Sequence, residues 1–189
     1  MNEQKYRFPN FNEKLKLQKY FEQLHLAARF VKQHFIGKVM IYETKSEIVE
    51  VRFSSTNFMH LCGIQYTEGA AQFFEVCLNH HVVVEKIKIK GDGTTFQKLQ
   101  LLPSIAELLG AYVRLTGSGK YLYLEFDYAL RTNKQILALT LKDTSRKIVP
   151  QSLLDLKRKK VFPKGEKVVK IYSRHLQSLE IVSYFDKED

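Results

Sequence analysis

The sequence predicts an α+β fold, with helix first and an antiparallel sheet after it. Three observations carry this. Between Phe11 and Phe35 the apolar residues recur at spacings of three and four, the period of a helix with one buried stripe. From Lys38 onward the period drops to two in a series of short β-rich runs. Those runs do not alternate regularly with helical ones, as a parallel sheet would require. At 189 residues the chain is long enough for one full-sized core and short for two. No linker or repeat divides it. A single domain over residues 1–189 is therefore expected, with 1–37 as its helical segment and 38–189 as its α+β core.

In the first segment Leu15, Leu17, Tyr20, Phe21, Leu24, Ala27, Ala28, Val31 and Phe35 mark one helix face, with Lys14, Lys19, Glu22, Arg29 and Lys32 opposite. Asn12 is the candidate N-cap and Gly37 the stop. "KVMIYETK" and "EIVEVRF" then read as a hairpin around Lys45-Ser46. "SSTN" is a loop, which places His60 of "FMHLCGI" at the beginning of a helical segment. "TEGAAQFFEVCLN" is the next helix, with Thr67 as its cap. Strict alternation from Glu85 to Lys90 predicts a strand with Lys86, Lys88 and Lys90 on one face, closed by "GDGTT".

"FQKLQLLPSIAELL" is helical, interrupted at Pro103 and ended by Gly110. "YVRLTGSGKYLYLEFDY" reads as two strands around Thr116–Gly119, and "KQILALTLKD" as a strand before a turn at Asp143–Arg146. "KIVPQSLLDL" is expected to leave the sheet at Pro150, and "KRKKVFPKGEK" to form a charged loop. "KVVKIYSR" and "LEIVSYF" make a closing strand pair.

Composition points to a partner. The chain is 44% hydrophobic and 26% charged, as ordinary globular proteins are, yet its net charge is +10. A basic globular protein most often faces a polyanion, and nucleic acid is the usual one. The two cysteines, Cys62 and Cys77, sit in apolar surroundings and read as packed free thiols, which suits a reducing compartment. The N-terminal stretch lacks a signal-peptide apolar core, and no apolar run approaches the roughly 18 residues that span a bilayer. A cytoplasmic location and no membrane partner are expected.

The chemistry turns on "FMHLCGI", a histidine and a cysteine inside an apolar run. His60-x-Cys62 and His80-His81 lack the paired spacing of a structural zinc site, so neither a metal nor a cofactor is expected. Two residues apart on a helix, His60 and Cys62 point about 200° away from each other, which disfavours a thiolate pair. "GDGTT" and "TGSGK" lack phosphate-loop spacing and read as turns. Lys157, Arg158, Lys159, Lys160, Lys164, Lys167 and Lys170 form a dense basic run. With Lys86, Lys88 and Lys90 it suits either a phosphate-tracking surface or a solvated loop beside a lysine-guarded edge strand. His60 itself is either an acid–base group or a satisfied core histidine.

The order of motifs carries a resemblance. "VEVRFSSTNFMHLCGI", "AAQFFEVCL", "TFQKLQLL", "ILALTLKD", "KIVPQSLLDLK", "KVVKIYSR" and "LEIVSYFDKED" succeed one another over residues 40 to 187. This series resembles the fourth phage group of the barnase–EndoU–colicin–RelE-like nuclease superfamily. The resemblance implies a barnase/RelE-like fold, with helices before a twisted antiparallel sheet and on one face of it. It implies a metal-independent ribonuclease, acting as a toxin or as a phage or mobile-element effector. RNA would be the substrate, with an immunity or antitoxin protein as a possible partner.

By position, the resemblance assigns the family histidine to His60, the family glycine to Gly63 and the serine after proline to Ser152. Thr140 and Lys142 fall in the strand where the superfamily places polar active-site groups. Cys62 departs from the family threonine, and a thiol is a poor hydrogen-bond donor. RNA cleavage of this kind needs a base for the ribose 2′-OH, cations for the phosphorane and an acid for the leaving 5′-oxygen. His60 would be base or acid, Lys142 and Arg174 would stabilise charge, and Ser152 would donate to a phosphate oxygen. The rival readings are a catalytically silent nucleic-acid-binding module of the same fold, and a protein that blocks another complex through its basic surface.

Overall fold

The computed structural model describes residues 6–121, 124–132, 137–157 and 162–187. Its helices are α1 (Phe11–Gln18), α2 (Phe21–His34), α3 (Ser55–Leu61), α4 (Ala70–Leu78) and α5 (Thr94–Leu101), with 3-10 turns at Val84–Lys86 and Leu102–Leu109. The strands are β1 (Tyr6–Arg7), β2 (Lys38–Glu43), β3 (Ile48–Arg52), β4 (Ile64–Tyr66), β5 (Ile87–Lys90), β6 (Val113–Thr116) and β7 (Gly119–Tyr121). They continue with β8 (Leu124–Phe126), β9 (Tyr128–Thr132), β10 (Leu137–Asp143), β11 (Ile148–Asp155), β12 (Glu166–Lys167), β13 (Lys170–His175) and β14 (Ile181–Asp186). The chain divides into two compact units, one made of residues up to Gln33 with Ser55–Pro103, the other of His34–Ser54 with the chain from Ser104 onward. The class is α+β, with a large antiparallel-rich sheet.

In the first unit the expected single N-terminal helix is two. The Tyr20 N–H donates to the Leu17 carbonyl at 2.9 Å, a tightened turn that ends α1. Leu17 and Leu24 are both fully buried, so the apolar period runs through the break and hides it, while Leu15 is exposed. The cap is Asn10, not Asn12. Its side-chain oxygen accepts from Glu13 N–H at 2.9 Å and the Glu13 carboxylate accepts from Asn10 N–H at 2.8 Å, a reciprocal capping box. Arg7 donates twice to the same carboxylate, at 2.7 and 2.8 Å, and together these bonds bring its pKa down to about 2.

The expected "SSTN" loop is the first turn of α3, because Ser, Thr and Asn are also good helix starters. His60 consequently lies in the last turn of that helix, not its first. Gly69 caps α4 in place of Thr67, whose N–H donates to Lys86 O and prolongs the sheet pairing past β4. The three-stranded sheet has the order β1-β5-β4, all antiparallel. β5 is therefore central, which removes the edge-strand reading of its lysines.

The second unit holds a nine-stranded sheet of order β12-β6-β9-β10-β11-β3-β2-β13-β14 and a separate β7–β8 ribbon. The β2–β3 hairpin, the β13–β14 pair and the turn after Asp143 form where the sequence places them. All its pairs are antiparallel except β11 with β3, joined at Ile148 and Val51. Cross-strand partners share a face. Leu115, Leu130, Leu139 and Leu153 thus make one apolar row across four strands, each at most 1% exposed. The row Thr116, Ala129, Thr140, Ser152 lies on the opposite face.

Two expectations fail in this unit. Strand β11 runs straight through Pro150: pairing steps from Thr140–Ser152 to Leu141–Pro150, leaving Gln151 as a bulge. A bulge interrupts the ladder where proline has no N–H to give. Thr116–Gly119 is not a hairpin turn, since β6 pairs with β9 and β12 while β7 pairs with β8. Among the described residues no helix is long and apolar enough to cross a membrane.

Candidate active site around His60

In α3 the neighbours Phe58, Met59 and Leu61 are 1%, 7% and 1% exposed, whereas His60 is exposed. Each helical residue is turned about 100° from the last, so one position in an apolar run can face water. The imidazole is thus a surface group, not a core histidine. Cys62 and Cys77 are free and fully buried, and burial pushes both thiols up in pKa. Cys62 therefore packs in the core.

Beneath this turn lies a lysine that the sequence reading did not single out. Lys98 of α5 is 6% exposed, and its ammonium donates to the His60 carbonyl at 3.3 Å. The Gly63 N–H donates to the same oxygen at 3.0 Å. Burial, and then the charge of Lys90, bring the Lys98 pKa down to about 8. Gly63 has φ +65°, and a Cβ there would sit 2.9 Å from Lys98 Cδ and 3.3 Å from Thr95 Cα. Buried Thr95 closes the joint: its hydroxyl donates to Gly63 O at 2.6 Å and accepts from Lys90 N–H at 3.0 Å. The signal for Lys98 was present, since Thr95, Lys98, Leu99 and Leu102 keep helical spacing and all are buried. A lysine stands in the apolar stripe.

The lysine alternation holds for Lys88 and Lys90, both half-buried on one face of β5 with Ile87 and Ile89 fully buried opposite. Lys86 precedes the strand and pairs with Glu68 at 2.7 Å. The other expected residues lie in the second unit. Lys142 on β10 is exposed and pairs with Asp127 at 3.3 Å. Ser152 on β11 is opposite Thr140, whose hydroxyl donates to the Ser152 carbonyl at 3.2 Å. Arg174 on β13 pairs with Glu50 at 3.4 Å. Lys142 and Ser152 are on adjacent strands, but four interstrand steps separate β10 from β13, about 19 Å at the usual spacing. Lys157 is exposed. Arg158, Lys159 and Lys160 lie outside the described residues.

Two buried arginines are further findings. Arg114 and Arg131 are opposite each other on β6 and β9, at 9% and 3% exposure. Arg114 donates to Lys164 O and Gly165 O at 2.8 and 2.9 Å, and Arg131 to Pro163 O at 3.1 Å. Among the described residues no group of three or more His, Cys, Asp or Glu is placed to hold a metal ion.

Comparison with known proteins adds a family. Residues 23–188 match the sequence model of the family described as phage-Barnase-EndoU-ColicinE5/D-RelE like nuclease4. A search of curated proteins finds no match, and a search of solved structures finds none.

Proposed function

The chain belongs to this family of nucleases, and on that premise we propose that it is a metal-independent endoribonuclease with His60 as its acid–base residue. Membership implies a nucleic-acid substrate. What supports the finer reading is the exposed His60 imidazole on a turn otherwise packed into the core, its carbonyl anchored by buried Lys98. In this mechanism a base takes the proton of the ribose 2′-OH and the oxygen attacks phosphorus. Cations hold the phosphorane charge, and an acid protonates the departing 5′-oxygen. His60 performs one of the two proton transfers. Lys98 positions the turn, and Lys88 and Lys90 supply positive charge. Lys142 with Ser152, and Arg174 apart from them, are assigned to contacts with separate phosphates along the RNA, and Lys157–Lys160 to the RNA backbone.

The family match crosses both units, which supports reading residues 1–189 as one nuclease domain of the barnase/RelE-like kind. A toxin or phage-effector role in the cytoplasm follows from the same reading, with an immunity or antitoxin protein to restrain it. One observation favours the silent binding module instead: Lys142 and Arg174 already hold carboxylate partners, Asp127 and Glu50.

The test incubates excess folded protein with mixed RNA and EDTA, wild type beside His60→Ala. Cleavage is expected from wild type, leaving 2′,3′-cyclic phosphate ends, with a loss of roughly 10²–10⁴-fold in the variant. RNA carrying 2′-O-methyl at the cut site should resist. No cleavage by wild type across a broad RNA panel would favour the binding module over the enzyme, and equal cleavage by both proteins would remove His60 from the mechanism.

A further inference from the structure

Two phenylalanines near the start of the chain stand in water. Phe8 is 53% exposed and Phe11 73%. The segment bearing them is held firmly. Arg7 grips Glu13 through two charged hydrogen bonds, Glu13 closes the capping box with Asn10, and Pro9 is buried. The rings are thus presented by a fixed backbone, so little conformational freedom remains to be lost on binding. Beside Phe8 runs the lysine face of β5. Tyr6 is opposite Lys90, with the ammonium 5.8 Å from its ring centre, and Lys88 sits 5.0 Å from the Phe8 ring.

Exposed rings interleaved with lysines match one class of ligand closely. Unpaired bases stack on aromatic faces while lysines follow the phosphates, whereas a duplex keeps its base faces inside the stack. An acidic protein surface would satisfy the lysines but give the rings no π-face to meet. We infer that Phe8 and Phe11, with Lys88 and Lys90, form a stacking platform for unpaired bases, so that the substrate is single-stranded RNA. This rests on the reading of the protein as an RNA-cleaving enzyme and names the form of RNA it takes.

The experiment titrates the full-length protein against two labelled 2′-O-methyl RNAs of equal length, one unstructured and one duplex, at several salt concentrations. The proteins are wild type, Phe8→Leu/Phe11→Leu and Lys88→Gln/Lys90→Gln. Leucine keeps these exposed positions apolar and removes only the ring, and circular dichroism confirms the fold. The expected result is a loss of about tenfold or more for the single strand in the leucine variant. Its duplex affinity and salt slope should not change, whereas the glutamine variant lowers the slope for both RNAs. Unchanged single-strand affinity in the leucine variant, or an equal loss on both RNAs, overturns the platform and leaves the nuclease reading standing. A wild-type protein that binds neither RNA overturns both.

Discussion

The ammonium of Lys98 lies 3.3 Å from the carbonyl oxygen of His60, so an almost fully buried cation supports the turn that shows its imidazole to solvent. Burial makes that charge costly. The lysine pKa is about 8 in the folded protein against an ordinary 10.5, so the unfolded chain holds the proton more tightly. Folding therefore costs most below pH 8, and the cost fades as the pH rises toward 10.5. A shift of this size corresponds to about 3 kcal/mol, against about 1 kcal/mol for the hydrogen bond to His60. Lys98→Met is expected to raise the urea midpoint at pH 7, with the gap over wild type closing by pH 10.5. Parallel midpoints across that range would mean the lysine is not carrying a buried charge. RNA cleavage should fall in the same variant, because the turn bearing His60 loses its anchor.

Gly63 joins α3 to β4 at φ +65°, with Lys98 and the Thr95 backbone packed against it. Gly93 has a similar φ of +81° and no heavy atom within 4 Å of a built Cβ. Gly93→Ala should thus cost only left-handed strain, about 1 kcal/mol. Gly63→Ala adds a steric push on Lys98 and Thr95 and should cost about 2–3 kcal/mol in all. Thermal unfolding of the two variants decides it, and equal losses would show that the close approach at Gly63 is easily relaxed.

Arg114 holds two successive carbonyls, of Lys164 and Gly165, and a lysine in its place reaches one at most. Arg114→Lys is expected to loosen the segment from Phe162 to Gly165 and to lower stability by about 1–2 kcal/mol. Limited trypsin digestion followed by mass spectrometry should show faster cutting after Lys164, which is already exposed. An unchanged cutting rate there would show that the β12–β6 pairing alone holds the segment.

Cys62 and Cys77 are both fully buried. An alkylating reagent should therefore leave the native protein nearly unmodified and add two equivalents once it is denatured without reductant. A disulfide in that denatured sample would contradict the packing.

The elements legible in the sequence are those whose signal is local. The leucine and alanine stripe of α2, the Lys38–Arg52 hairpin and the lysine alternation on β5 each follow from a period within a few residues. Helix starts were less legible, because Ser55-Thr56-Asn57 suits a loop and a first helical turn equally well, and the structure takes the second. A helix beginning at Ser55 puts His60 in its last turn, whereas a loop over Ser54–Asn57 would put it in the first.

The candidate site was half visible. His60 and Gly63 stood out as a polar group and a glycine in an apolar run, and the motif order around them was enough to indicate the family. Lys98 was hidden because one lysine hardly changes the period of the stripe it interrupts, and its partner carbonyl lies 38 residues away. A backbone oxygen leaves no mark in a sequence. What the sequence by itself determined was the α+β class, the buried thiols and the basic charge, all properties of residue type and local spacing, together with the nuclease family, which rests on the resemblance in motif order along the chain. Tertiary structure alone decided that β6 pairs with β9 rather than β7, that β11 passes through Pro150 by bulging at Gln151, and that His60 faces water while Lys98 does not. Each of these depends on which distant backbone groups and side chains are opposed across a gap of a few ångströms. That choice is made by packing and hydrogen-bond satisfaction over the whole unit, and no window along the chain contains it.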